Sequence, residues 1–73
     1  HGLGGTRREM LGRALWLRDR GCAVLLCDLR GHGESAATRV SFGLHERDDA
    51  LAALQALRRL APGERIAAIG RSL

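Results

Sequence analysis

The chain has 73 residues, a formal net charge of +4 and a 45% hydrophobic fraction, which bounds it to one small domain with a marginal core. Its 12 basic side chains are all arginine, and aromatics make up only 3%; the arginines alternate with acids, as in Arg18-Asp19-Arg20 and Glu46-Arg47-Asp48, so no stacking platform for single-stranded nucleic acid is present. No apolar run approaches the ~20 residues of a membrane span.

The chain opens on a glycine-rich loop, His1-Gly2-Leu3-Gly4-Gly5. Thr6 and Glu9 then fit a capping box, in which the Thr6 side chain takes the Glu9 amide and Glu9 reaches back to Thr6. Met10, Leu11, Ala14, Leu15 and Leu17 recur at helical spacing, with Arg13, Arg18 and Asp19 on the other side. Gly21 stands where a left-handed residue ends a helix. The pattern predicts a helix over 7–20.

Residues 22–27 are continuously apolar, which predicts a strand covered on both faces, as in a parallel sheet. Cys22 and Cys27 would point to opposite faces of that strand, and C-x4-C without a second pair is no zinc spacing. They are expected to be buried free thiols, which suits a reducing, cytoplasmic setting. Residues 29–44 carry no sustained period and are expected to form a long loop, a kind of segment that is often functional.

Leu51, Leu54, Leu57 and Leu60, with Ala50 and Ala53, predict one apolar stripe of a second helix. Glu46, Asp48 and Asp49 fall in its first turn and Arg58 and Arg59 in its last, both favourable to the helix dipole. Pro62-Gly63 ends it, and residues 66–69 predict a second strand. Helices alternating with fully apolar strands argue an α/β fold.

The chain closes on Gly70-Arg71-Ser72-Leu73. A strand that stops at Gly-x-Ser reads as the first three positions of a nucleophile elbow, G-x-S-x-G. A sharp turn lifts a serine clear of its surroundings and leaves the next amide, that of Leu73, aimed at a developing oxyanion. Flanking glycines such as Gly70 are expected because bulkier residues would clash in the turn. A second oxyanion donor must come from elsewhere, and the Leu3 N–H in the opening glycine loop is the candidate. The plain alternative is an ordinary glycine turn and a serine capping a following helix.

Three stretches in this order, His-Gly-x-Gly-Gly at residues 1–5, Asp28-Leu29-Arg30-Gly31-His32-Gly33-Glu34-Ser35, and Gly70-Arg71-Ser72, resemble the α/β-hydrolase family. Ser41-Phe42-Gly43-Leu44-His45-Glu46 and the helix after it look most like the serine aminopeptidase, acylaminoacyl-peptidase-like and lysophospholipase-like branches. The resemblance spans essentially all 73 residues but only part of the family's usual domain. It implies a partial α/β-hydrolase domain over residues 1–73, helix-strand-helix-strand, with a parallel strand pair in an incomplete sheet. It implies a serine hydrolase of ester, thioester or amide bonds, with Ser72 as nucleophile and the amides of Leu3 and Leu73 as oxyanion hole. Asp28, Arg30, Gly31, Gly33 and Ser35 would be architectural, with Arg30 ion-paired, and His1 would orient the loop that begins at Gly2. The partner would be a small-molecule or peptide acyl substrate, with no cofactor, metal or nucleic acid.

The same resemblance puts the acid and histidine of the triad after the nucleophile. Neither is present, so the chain is expected to be an inactive fragment. His1, His32 and His45 do not occupy the family's base position. The family's central strand would precede His1, so the strands at 22–27 and 66–69 would flank a slot roughly 9.6 Å wide or pair directly. Direct parallel pairing is expected, because an open slot leaves backbone groups unsatisfied. Low stability and exposed apolar helix faces are expected either way.

Two other functions are compatible with the residues. Gly31-His32-Gly33-Glu34-Ser35-Ala36 matches the dinucleotide fingerprint G-x-G-x-x-G/A, although that fingerprint should open a helix at once and residues 38–43 read as loop. A non-catalytic binding protein built on the hydrolase fold is the third.

Overall fold

Thr6 starts the first helical segment. Its backbone is extended (φ −139°, ψ 171°) and its hydroxyl accepts from the Arg8 N–H at 3.2 Å, which satisfies one of the free amides of a helix start. The structure, a computed structural model describing residues 1–72, then has a 3-10 turn at Arg7–Met10, helix α1 at Leu11–Arg18 and helix α2 at Glu46–Leu60. The helix expected over 7–20 is thus a tight turn followed by a short α-helix.

The reciprocal capping box does not form. The Glu9 N–H bonds the Thr6 carbonyl at 3.1 Å, and the Glu9 carboxylate turns away to the Gly2 N–H. The tighter i→i+3 bonding of a 3-10 turn takes up the amide that the box would have given to the Thr6 hydroxyl. Gly21 ends α1 with φ +87°, and the amides of Gly21 and Cys22 return to the carbonyls of Arg18 and Leu17 at 3.0 and 3.1 Å. That is the left-handed stop its sequence position predicts.

Helix α2 has Glu46, Asp48 and Asp49 in its first turn and Arg58 and Arg59 in its last. Its leucines do not form one stripe. Steps of three residues lag the ~3.6-residue turn, so three such steps carry Leu60 roughly half a turn away from Leu51. Leu51 and Leu60 are exposed, and the arc that lines the hollow beside the helix is Ala50, Ala53, Leu54 and Leu57, at i, i+3, i+4 and i+7.

Among the described residues there is no strand. Residues 22–29 and 64–72 have no regular structure, and no backbone hydrogen bond joins them. The α/β reading, with its parallel strand pair in an incomplete sheet, is therefore overturned. Direct pairing was expected on the ground that buried backbone must be satisfied, but most of both segments is exposed, and there water can serve the amides and carbonyls. A hollow of about 510 Å³ lies between them, lined by Ala14, Leu17, Val24, Leu54, Leu57 and Ile66 among others. Cys22 and Cys27 are free but exposed, not buried, because no second layer covers the segment that carries them.

The apolar core is small: Met10 and Ala14 are its buried members, while Trp16, Phe42 and Leu60 are 56%, 75% and 74% exposed. Arg20 lies over the Trp16 ring at 3.6 Å, which screens part of one of these surfaces. No helix among the described residues is long and apolar enough to cross a membrane. So much exposed apolar surface is expected to bind a hydrophobic dye at neutral pH and to give a broad thermal melt. A sharp melt at high temperature without dye binding would contradict that expectation.

Candidate functional site

The first nine residues, the 28–35 turn and the chain's last described residues are held together by polar contacts. Residues 2–5 form a turn closed by a Gly5 N–H to Gly2 carbonyl bond at 3.0 Å. Gly4, at its third position, has φ +75°, the left-handed value a type II turn requires there. The Gly4 N–H donates to His32 Nε2 at 2.9 Å. The Leu3 N–H donates to no group among the described residues.

Ser72 lies against this turn. A Cβ built on Gly2 would stand 3.4 Å from the Ser72 Cβ and 3.8 Å from the Arg71 carbonyl. Glu9 joins the two ends: its carboxylate accepts from the Gly2 N–H and pairs with the Arg71 guanidinium at 3.8 Å. Ser72 has φ +66°, a left-handed conformation that is uncommon for a residue with a side chain. Strained backbone of this kind clusters at functional sites. The clash anticipated at Gly70 is absent, since a Cβ there meets nothing within 4 Å; the sharp conformation falls on the serine itself. Leu73, the other oxyanion candidate, lies outside the described residues.

The 28–35 turn is built around Asp28, whose side chain is 3% exposed. Its Oδ1 accepts from the Arg7 N–H at 2.6 Å, its Oδ2 accepts from the Glu34 N–H at 3.0 Å, and the Arg7 guanidinium pairs with it. The Arg7 and Glu34 amides, ahead of the Arg7 charge, hold the Asp28 carboxyl below the usual carboxylate range. Arg7 reaches on to Glu34 Oε2 at 2.8 Å, and the Ser35 hydroxyl donates to the Asp28 carbonyl at 2.6 Å. Gly31 (φ +73°) and Gly33 (φ +51°) make the bend, and a Cβ on Gly33 would collide with the Asp28 carboxylate.

Arg30 ties the turn to α2. Its Nε and a terminal nitrogen bond the two Asp49 oxygens at 2.9 and 2.8 Å, and its backbone N–H adds a third bond at 3.1 Å. This bidentate pairing lowers the Asp49 carboxyl, the Arg30 side-chain bonds being the largest cause. Ahead of α2, Glu46 is 5% exposed and accepts from the Ser41 hydroxyl, and from the Ser41 and Gly43 amides at 2.9 Å each. The Ser41 hydroxyl and then its amide push the Glu46 carboxyl down to about 2. After the glycines of the 28–35 turn, residues 36–40 are irregular and the next helix begins only at Glu46, unlike the immediate helix a dinucleotide turn needs.

Sequence reasoning gave Glu9 to a helix cap and Glu46 to a helix dipole. In the structure both are hubs that accept backbone amides from other segments. A glutamate beside a glycine loop is the only local signal, and it is shared with every exposed helix start. No family model matches the chain, and no curated protein or solved structure matches it.

Proposed function

We propose that this chain carries the nucleophile and one oxyanion donor of a serine hydrolase that cleaves ester, thioester or amide bonds through an acyl-enzyme on Ser72. The reading is carried by one observation. A serine in the left-handed conformation packs on a glycine turn whose Leu3 amide has no partner among the described residues. The order of the three motifs, as in the α/β-hydrolase family, supports the same reading.

In the first step Ser72 Oγ attacks the acyl carbon and gives its proton to a base. The carbonyl oxygen becomes negative, and the Leu3 N–H donates to it. Collapse of the adduct expels the alcohol, thiol or amine, which takes the proton. Water then releases the acyl group and restores the hydroxyl. Neither His1 nor His32 is the base. Each has both ring nitrogens engaged with backbone groups, so neither has a lone pair for the serine proton. The reading therefore takes the base from a group other than these two rings.

A fluorophosphonate probe tests this on the native protein. Covalent labelling at Ser72, lost in Ser72→Ala, is the expected result. Absence of an adduct on Ser72 in a folded protein would favour the non-catalytic binding role.

A further inference from the structure

The rings of His1 and His32 stack at 4.9 Å between centroids, tilted by 56°. Each is bound at both nitrogens, and the partners dictate the tautomer. His1 Nδ1 faces the Gly2 carbonyl and His32 Nδ1 the Arg30 carbonyl, both at 2.9 Å. A carbonyl only accepts, so both Nδ1 atoms carry hydrogen. The Nε2 atoms accept from amides, His1 from Leu29 and His32 from Gly4, again at 2.9 Å. The pair thus fastens the glycine turn to the 28–35 turn from both sides, and His32, 6% exposed, is the inner member.

We infer that His32, backed by His1, is a positioning residue that locks the glycine turn beside Ser72 only while both imidazoles are neutral, so that acid releases the turn. Protonation puts hydrogen on Nε2, where a backbone N–H already points, and converts an accepted bond into a donor–donor contact. Two imidazolium rings in this stack would also repel. Among the described residues no carboxylate bonds either ring. On the elements around them Asp28 and Glu34 are taken by Arg7, Glu9 by Gly2 and Arg71, and Asp49 by Arg30. Glu46 serves the amides ahead of α2, and Arg13 and Arg47 line the same hollow as His1.

The clasp stands on its own geometry, and only its effect on acylation rests on the reading of Ser72. Nitrogen-15 correlation spectra of the histidine rings in the 73-residue chain, taken from about pH 8 down to about pH 5, test it. The expected result is the Nδ1–H tautomer for both rings at high pH, with the Gly4 and Leu29 amide resonances moving together with ring protonation. His32→Gln keeps an acceptor that does not titrate, so the Gly4 amide should stop responding while Leu29 still does; His32→Phe removes the acceptor altogether. An Nε2–H tautomer at His32, or a Gly4 amide indifferent to acid, overturns the proposal without any variant being needed. In the native protein, fluorophosphonate labelling of Ser72 should slow at least tenfold in His32→Phe and recover in His32→Gln. If the wild type is not labelled but the spectra are as expected, the hydrolase reading fails and the clasp survives.

Discussion

Lowering the pH from 4.5 towards about 2 is expected to release the segment ahead of α2, and Glu46→Gln is expected to remove most of that acid sensitivity. The sign follows from the carboxyl's two environments. Folding holds the Glu46 carboxyl at about 2, against an ordinary 4.5. The folded state therefore gains from this group above its ordinary value, and the gain is lost as protons are forced on through the lower one. A protonated Glu46 cannot accept from the Ser41 hydroxyl and both amides at full strength, so the 41–45 turn loosens and α2 frays from its start. Glutamine at this position loses the charge at every pH, so the variant melts at lower temperature near neutrality. The gap between the two proteins should close as the solution is acidified. Asp28 and Asp49 are shifted in the same direction, so the variant keeps a smaller acid transition of its own. Far-UV circular dichroism against pH measures all of this; parallel curves for the two proteins would show that Glu46 is not the switch.

Gly33→Val is the second substitution with a large expected effect. Residue 33 sits at φ +51°, where a side chain costs about 1–2 kcal/mol. A Cβ there also strikes the Asp28 carboxylate, which the amides of Arg7 and Glu34 hold from two sides. The carboxylate cannot yield without giving up those bonds, so the combined cost should be about 3 kcal/mol, at the upper end of single-residue effects. A domain this small has few kcal/mol in reserve, and the variant is expected to be largely unfolded at room temperature. Gly70→Ala is the counterpart, because a Cβ there meets nothing and no positive φ is involved. It should shift stability by less than about 0.5 kcal/mol. Denaturant melts of the two variants compare them directly; equal stability would mean that the 28–35 turn is not the fold's rigid point.

The helices were legible because their signals are local. Apolar periodicity, the acids at the start of α2, and Gly21 and Pro62-Gly63 at the ends all act within a turn or two of the residue they govern. The strands were not, because a strand is a property of a pair. Residues 22–27 and 66–69 have the composition of buried strands, but among the described residues no strand pairs with either one. Even within α2 the leucine spacing misled, since positions three apart drift round the helix. The candidate site divides in the same way. Its motif residues stood out as glycine clusters, and Gly2 does meet Ser72 in space. His32 and Gly4 are bonded across 28 positions of sequence, and nothing near either residue announces the other. The tight first turn also redirected Glu9, whose sequence context fits a cap equally well.

The long-range ties are mostly polar, from Arg7 to Asp28, His32 to Gly4, Arg30 to Asp49 and Glu9 to Arg71, while few apolar side chains leave water. Heat-capacity change on unfolding comes chiefly from newly wetted apolar surface, and a chain of this length ordinarily shows about 1 kcal/mol/K. This one should fall well below that. Its stability curve would be shallow, so cooling would not loosen it as it loosens proteins held together by large greasy interiors.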